Sequence, residues 1–260
     1  MATLKHTGLV RQAATRRFAV WLAPFGALTT LLALLTIDVA GISTPSYDLA
    51  VMEWVAGWDL PGLDTFFGVL SFLTSSKAGF IYGPGGIALL LLLGKTRAAI
   101  VFAVVGLSIA LVAIVGDSIL GEVVGRGRPL AASNNPTPAF PSGHVFGSTV
   151  FFGFIGFLAV YYRLKKKLLV PLLILVAAVI LLTGPARVYE QAHWPSDIAA
   201  GYLLGALWLL VLVPLFIYIR NTKWMTFSRQ NDDISALSCE SCRTEMSIAS
   251  TVLLDPQRGT

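Results

Sequence analysis

The chain has 260 residues, of which 55% are hydrophobic and 13% are charged, and its mean hydropathy is +0.75. About a quarter of the residues of a soluble globular domain are charged, so this composition excludes an ordinary soluble protein and points to a lipid bilayer. The net charge of +5 forms no basic stripe with interleaved aromatic residues, which argues against a nucleic-acid partner.

Six apolar segments are predicted to cross the membrane, because about 17–23 apolar residues in a helix span a hydrocarbon core about 30 Å thick. The second segment is interrupted by Lys77 and by the run from Gly83 to Gly86, so we predict a short interfacial helix and then a span over about 78–94. The first segment could instead be a cleaved signal peptide, but its apolar stretch of about 20 residues exceeds the usual length of about 7–15, and we favour an uncleaved span. The segments lie at about 18–37, 66–94, 98–120, 145–162, 168–184 and 198–219.

The positions of the basic residues predict the orientation of these spans. If the N-terminus is cytoplasmic, twelve lysines and arginines lie at inner ends of the spans, whereas only Lys77, Arg126, Arg128 and Arg187 lie outside. This asymmetry fits the positive-inside rule. We therefore predict a multi-pass protein of a plasma membrane, most simply a bacterial inner membrane, with both termini in the cytoplasm.

The predicted organisation has three parts. Residues 1–17 form a cytoplasmic segment, residues 18–220 form the six-span domain, and residues 221–260 form a polar cytoplasmic tail that we expect to be disordered. Cys239 and Cys242 make one Cys-x-x-Cys in this tail, which is half of a tetrahedral zinc site and is read as two ordinary cysteines. The outer loop at 41–65, with nearby aromatic residues, is read as an interfacial helix that anchors the protein or shapes the access of a lipid.

Three short motifs fall on the predicted outer face. The first is Arg126-Gly127-Arg128-Pro129, and Arg187 begins the third. Arg128 and Arg187 each offer a planar fork of donors that matches phosphate, and arginines beside the ends of apolar spans are costly unless an anion meets them. Arg126 is predicted either to reach the same anion or a lipid headgroup, or to be an interfacial arginine whose side chain extends to water.

The second motif, Pro141-Ser142-Gly143-His144, stands where a loop enters the fourth span. Ser142 is the expected N-cap, and Gly143 lets the backbone come close to a ligand, so the free amides of the helix N-terminus would hold an anion. His144, in the first turn, is then placed to protonate a leaving oxygen.

The third motif continues from Arg187 to His193 and Asp197, with Pro195 expected at the first position of the last helix. Asp197 is predicted to fold back and accept a hydrogen bond from the His193 ring. Such a carboxylate fixes the tautomer of the ring and leaves its other nitrogen free to attack.

The ordered set Arg-Pro, Pro-Ser-Gly-His and Arg-x5-His-x3-Asp resembles the type 2 phosphatidic acid phosphatase superfamily, which includes lipid phosphate phosphatases, undecaprenyl-diphosphate phosphatases and vanadium haloperoxidases. The likeness covers residues 66–219 or so. It implies an all-α fold, here an integral membrane bundle of six helices with the active site at its extracytoplasmic end.

The resemblance also implies the role of each residue in the three motifs. His193 would be the nucleophile that forms a phosphohistidine, Asp197 would orient it, and His144 would act as acid and then as base. The groups that would stabilise the phosphoryl oxygens are Arg128, Ser142, the Gly143 amide and Arg187. No metal or other cofactor is implied. The expected substrate is a lipid phosphate monoester or diphosphate, and polyprenyl diphosphate, phosphatidic acid and phosphatidylglycerol phosphate all remain open; no protein partner is predicted.

The chain departs from the family pattern at position 121, where the usual lysine is Gly121, and Ala186 replaces a common serine. Arg126 or Lys77 could supply the missing cation, or Lys77 could pair with Asp117. Three other functions follow from these motifs: a lipid phosphotransferase using the same site, a non-catalytic lipid-binding or transport protein, and a haloperoxidase. The six predicted spans argue against a haloperoxidase, because the haloperoxidases of this superfamily are soluble proteins.

Overall fold

A computed structural model describes residues 22–40, 44–129 and 138–221, and all regular secondary structure in these ranges is helical. The chain divides into two compact units, Met1–Leu212 and Val213–Thr260, and only the end of the last helix is described in the second unit. The predicted segment at 1–17 and the tail beyond Asn221, with Cys239 and Cys242, lie outside the described residues. The signal-peptide alternative also concerns a segment that begins outside them.

Eight helices, α1 to α8, lie in the described residues, and the predicted all-α class is confirmed. Helix α4 begins after Ser75, whose hydroxyl accepts a hydrogen bond from the Ala78 amide at 3.2 Å. Helix α8 begins at Pro195, the position predicted for it. In chain order the helices are Leu22–Val39, Ser46–Ala56, Leu63–Leu73, Ser76–Leu92, Thr96–Val124, Gly143–Tyr161, Lys166–Tyr189 and Pro195–Asn221.

Five of these helices, α1, α5, α6, α7 and α8, are long and apolar enough to cross a membrane. The other predicted span is α4, which has 17 residues, the lower limit of the length that crosses a bilayer. The interfacial helix predicted before it corresponds to α3, and the outer loop before that contains α2. A multi-pass membrane fold is therefore shown, and the count of six spans stays a prediction.

The path of the chain shows that α4 runs the length of the bundle. The end of α1 lies at the end of α5, because Val39 shares a buried cluster with Val124 and Phe140. Helix α3 lies at the end of α7, where Phe67 and Leu70 contact Ala186. Helix α5 starts at its opposite end and packs along α4. Helix α4 therefore returns the chain from one end of the bundle to the other.

Helices α6 and α8 approach each other at two glycines. A Cβ atom on Gly201 would lie 2.8 Å from the carbonyl oxygen of Ser142, and one on Gly205 would lie 2.7 Å from the Cβ of Thr149. Only glycine permits backbones to come this close. The contact at Gly201 holds the beginning of α8 beside the beginning of α6, which brings the second and third motifs together.

Candidate active site

Four helix ends meet at one end of the bundle. Arg128 follows α5, Ser142 precedes α6, Arg187 lies in the last turn of α7, and His193 precedes α8. The guanidinium of Arg128 lies 3.0 Å from the His193 ring, and the Ser142 amide donates to the Asp197 carbonyl at 3.1 Å. His144, in the first turn of α6, lies in the electrostatic field of Arg187, His193 and Arg128.

The neighbours of His193 determine its tautomer. Nδ1 lies 2.8 Å from the carbonyl oxygen of Ala139, which can only accept, so Nδ1 carries the hydrogen. Nε2 lies 3.0 Å from a guanidinium nitrogen of Arg128, which can only donate, so Nε2 offers its lone pair. The neutral ring is thus held with its lone pair on Nε2.

The pKa of the buried His193 ring lies below its ordinary value of 6.5. Burial is the main cause, because it disfavours the charged ring; the Asp197 carboxylate acts in the opposite direction, and the positive charge of Arg128 lowers the pKa further. Burial and the charge of Arg128 thus favour the neutral form of His193, which is the form with a free lone pair.

Asp197 does not accept the hydrogen bond predicted for it. Its Oδ2 lies 3.7 Å from Nδ1 of His193, beyond hydrogen-bond reach, and accepts instead from the Trp194 amide at 2.9 Å. Its Oδ1 accepts from Arg126 at 2.7 Å. The physical reason is that the carboxylate caps the first turn of α8, so it shapes the loop that carries His193 while the Ala139 carbonyl orients the ring.

Arg126 lies in a buried ion-pair network. Its guanidinium donates to Asp48 at 3.0 Å, to Ser196 at 2.6 Å and to Asp197 at 2.7 Å. Asp48 also accepts from the Ser196 amide at 2.8 Å and from its hydroxyl at 2.6 Å. The side chain of Arg126 is only 2% exposed, so it is not an interfacial arginine that extends to water, and its contact with a phosphate stays a prediction.

Arg128 is held by two backbone carbonyls. One terminal nitrogen donates to Ala192 and the other to Pro138, each at 3.0 Å. A planar guanidinium held at both nitrogens has a fixed direction. The same loop, 138–139, therefore fixes both Arg128 and the His193 ring.

Three of the predicted phosphate-binding groups are buried donors with no hydrogen-bond partner among the described residues: the Ser142 hydroxyl, Nε of Arg126 and Nε of Arg187. Ser142 occupies the N-cap position of α6, but its side chain makes no capping hydrogen bond. The exposed Gly143 begins that helix, so its amide belongs to the group of helix N-terminal amides that bind anions. Buried donors are normally satisfied, and a phosphate would satisfy these.

Arg187 also forms an ion pair with Glu190, three residues later on the same helix turn. Because Glu190 occupies a terminal nitrogen, the unpartnered Nε of Arg187 remains for an anion. The pairing was open to sequence reasoning, since positions three apart are neighbours on a helix.

The structure explains the glycine at position 121. A Cβ atom there would lie 2.6 Å and 2.7 Å from the Cβ and Cγ of Pro138 and 3.3 Å from the carbonyl oxygen of Phe140. The family lysine therefore does not fit. Lys77 is exposed in the first turn of α4, and no hydrogen bond or ion pair within the described part of the chain joins it to the site. The side chain of Asp117 is not among the described residues, so its pairing with Lys77 stays a prediction.

Sequence reasoning missed Asp48 and the carbonyls of Pro138 and Ala139. Asp48 lies 78 positions before its partner Arg126, and no local pattern marks it. Every residue has a carbonyl oxygen, so those of 138 and 139 carry no signal at all. Among the described residues, no group of three or more His, Cys, Asp or Glu side chains could hold a metal ion.

The chain is similar to one protein family and to two solved structures. The PAP2 superfamily matches residues 98–221, and no curated protein matches the chain. The crystal structure of the first transmembrane PAP2 type phosphatidylglycerolphosphate phosphatase from Bacillus subtilis is similar with a TM-score of 0.60 at 21% identity, covering 76% of this chain and 98% of that chain. The crystal structure of Aquifex aeolicus LpxE has a TM-score of 0.48 at 19% identity, covering 66% of this chain and 98% of that chain.

The Bacillus subtilis structure shows that the fold is shared. The family match begins in α5 and ends with α8, so it contains all three motifs, from Arg126 to Asp197. Residues 98–221 of the chain are therefore similar to the PAP2 superfamily, and the described helices share the fold of the Bacillus subtilis structure.

Proposed function

We propose that the protein is a membrane lipid phosphatase that takes the phosphoryl group of its substrate onto Nε2 of His193. The observation that carries this proposal is the buried His193 ring, with Nδ1 on the Ala139 carbonyl and Nε2 3.0 Å from Arg128. A structural histidine buried for packing would not need its attacking nitrogen directed at an arginine in an anion site.

In the first step, the lone pair of Nε2 forms a bond to phosphorus, and the bond from phosphorus to the lipid oxygen breaks. The leaving oxygen takes the proton of a protonated His144. The phosphorylated ring of His193 keeps its Nδ1 hydrogen and becomes positively charged. The Ala139 carbonyl at 2.8 Å and the Asp197 carboxylate at 3.7 Å stabilise that charge.

In the second step, neutral His144 takes a proton from a water molecule as the water oxygen bonds to phosphorus. The bond from phosphorus to Nε2 breaks, its electron pair returns to His193, and phosphate leaves. Through both steps the charge on the phosphoryl oxygens is met by Arg128, by Nε of Arg187, and by the Ser142 hydroxyl with the Gly143 amide. Such preorganised donors commonly supply the largest share of catalysis in phosphoryl transfer.

The membrane fold supports a lipid as the substrate. Its phosphate can reach the helix ends while its tails stay in the bilayer, and the aromatic side chains of Trp54 and Phe66 are exposed near this end of the bundle. Polyprenyl diphosphate, phosphatidic acid and phosphatidylglycerol phosphate remain the proposed classes. We propose that the site faces away from the cytoplasm and that the reaction needs no metal.

The test is phosphate release by the purified protein in detergent with EDTA, from each of the three lipids. His193→Ala should abolish release, and the matched control His6→Ala should release phosphate at the wild-type rate. A brief reaction with labelled lipid, stopped in alkali, should trap a phosphohistidine that His193→Ala lacks.

Two other outcomes would overturn the proposal. If an added alcohol were phosphorylated in place of phosphate release, the protein would be a phosphotransferase. If the folded protein released phosphate from none of the lipids but still bound them, it would be a lipid-binding protein.

A further inference from the structure

Gly121 differs from the other glycines of helix α5 in what surrounds it. A Cβ atom at Gly106 would have nothing within 4 Å, and one at Gly116 would make ordinary contacts of 3.6 Å and 3.9 Å. A Cβ atom at Gly121 would lie 2.6 Å from Pro138, closer than real Cβ contacts. The backbone of the 138–140 loop thus rests directly on α5 at this residue.

The neighbour at this contact has little freedom to move. Pro138 is a rigid ring and not the end of a flexible side chain, and its carbonyl is held by Arg128. Two residues later, Phe140 is 1% exposed and packs into the cluster formed by α1, α5 and α8. An added methyl group at Gly121 must therefore displace the loop.

The same loop supplies the two carbonyls that orient the reacting groups. Pro138 accepts from Arg128 at 3.0 Å, and Ala139 lies 2.8 Å from Nδ1 of His193. Displacing the loop away from α5 moves both acceptors at once. We propose that Gly121 is a positioning residue: its missing side chain seats the 138–140 loop on α5 so that the Ala139 carbonyl holds His193 as the Nδ1–H tautomer.

This inference rests on the proposed function for its kinetic consequence but not for its structural one. Misplacing a reacting group by about 1 Å can lower the rate about 100-fold, so Gly121→Ala should lower kcat/KM about 10- to 100-fold. Gly106→Ala, on the same helix, is the matched control and should keep wild-type kcat/KM.

A double-mutant cycle tests the contact itself. Pro138→Gly removes both atoms that collide with the new methyl group but keeps the carbonyl that Arg128 uses. Gly121→Ala should therefore cost much less in the Pro138→Gly background than in the wild type. Equal costs in the two backgrounds would overturn the proposal, and so would wild-type kcat/KM for Gly121→Ala.

The tautomer can be read without catalysis. The chain has only three histidines, so histidine labelled with 15N gives few signals, and the His193 signals are those lost in His193→Gln. In the wild type these signals should report Nδ1–H; in Gly121→Ala the Nε2–H form should appear, and in the double variant it should decline again. An unchanged tautomer in Gly121→Ala would sink the inference even if the wild type proved inactive on every lipid.

The proposal can also be tested if Gly121→Ala does not fold. If Gly121→Ala does not fold but Gly121→Ala with Pro138→Gly does, the steric contact is established. If neither folds while Pro138→Gly alone folds, the collision with Pro138 is not the reason for the glycine, and the proposal fails.

Discussion

His193 has a different neighbour on each ring nitrogen, and this asymmetry determines which nitrogen carries the hydrogen and which carries the lone pair. The Ala139 carbonyl holds the hydrogen on Nδ1, and Arg128 lies against Nε2. Burial favours the neutral ring. The proposed nucleophile is therefore neutral and oriented before any substrate arrives.

The pH dependence of kcat/KM should show that the His193 ring is neutral over the working pH range. The neutral form of His193 attacks, and its pKa lies below 6.5, so the acidic limb of kcat/KM should also lie below pH 6.5. Activity is lost as the pH falls through that limb, because the protonated ring has no lone pair. A pH profile of phosphate release measures it, and His6→Gln is the control; an acidic limb above pH 6.5 would contradict the assignment.

The chemistry-bearing side chains of the site were predictable, but the atoms that orient them were not. His193, His144 and Arg128 stand in motifs whose residue types are rarely combined for any other purpose. The acceptor of the His193 hydrogen is a backbone carbonyl, which leaves no trace in the sequence. The ion-pair network of Arg126 was missed because its partner Asp48 is distant in the chain, and only the fold brings the two charges together.

Helix α2 lies before the family region, yet it reaches the catalytic loop through one buried side chain. Asp48 is 0% exposed and binds both Arg126 and Ser196. Ser196 stands between the loop of His193 and the body of α8. Helix α2 is thus part of the frame of the site and not merely an interfacial anchor.

Asp48→Ala should lower the free energy of unfolding by about 3–5 kcal/mol, because it leaves the buried charge of Arg126 with one carboxylate fewer. Denaturing-detergent titration of the purified protein measures the loss. Asp59→Ala, a change at an exposed carboxylate in the next loop, should leave stability within about 0.5 kcal/mol of wild type. Equal stability of the two variants would show that the network contributes nothing.

Helix boundaries were predicted to within a few residues where the apolar period was clear, as in α6 and α8. Helix α4 was predicted at about 78–94 and lies at Ser76–Leu92, although Lys77 and the Gly-Pro-Gly-Gly run interrupt its apolar segment. The helix nevertheless continues through Pro84, because backbone groups in an apolar setting keep their hydrogen bonds within the helix wherever they can. Glycine and proline favour a break in a helix, but the bilayer requires the backbone hydrogen bonds of the helix to be kept.

At the scale of the whole molecule, the return path through α4 bears on the topology. Both α1 and α5 end at the active-site end of the bundle, so the chain must travel the length of the bundle between them, and α4 is the helix that does so. Five spans would leave this journey outside the bilayer. The path therefore favours α4 as a sixth span, and the count of six stays a prediction.

Cysteine labelling in intact cells tests this topology. In a chain whose Cys239 and Cys242 are replaced by serine, Asp59→Cys should react with an impermeant maleimide from outside. Lys95→Cys and Lys165→Cys should react only after the membrane is opened. Labelling of Lys95→Cys alone from outside would mean that α4 does not cross the membrane. Labelling of both Lys95→Cys and Lys165→Cys from outside would show that the orientation is the reverse of the one predicted.

Free phosphate should both stabilise and inhibit the protein. The Ser142 hydroxyl and Nε of Arg187 are buried without partners among the described residues, and each such donor costs about 1–3 kcal/mol. Inorganic phosphate should therefore raise the melting temperature and compete with the lipid. Both effects should weaken in Ser142→Ala; a phosphate-independent melting temperature would contradict them.

The unpartnered donors also affect how the reaction ends. Inorganic phosphate presents the same oxygens as the substrate, so the donors that capture the lipid also retain the final product. For the proposed phosphatase we therefore expect the departure of phosphate to be slow and turnover to fall as phosphate accumulates around the site. Its rate would then report the phosphate concentration on the side of the membrane that the site faces.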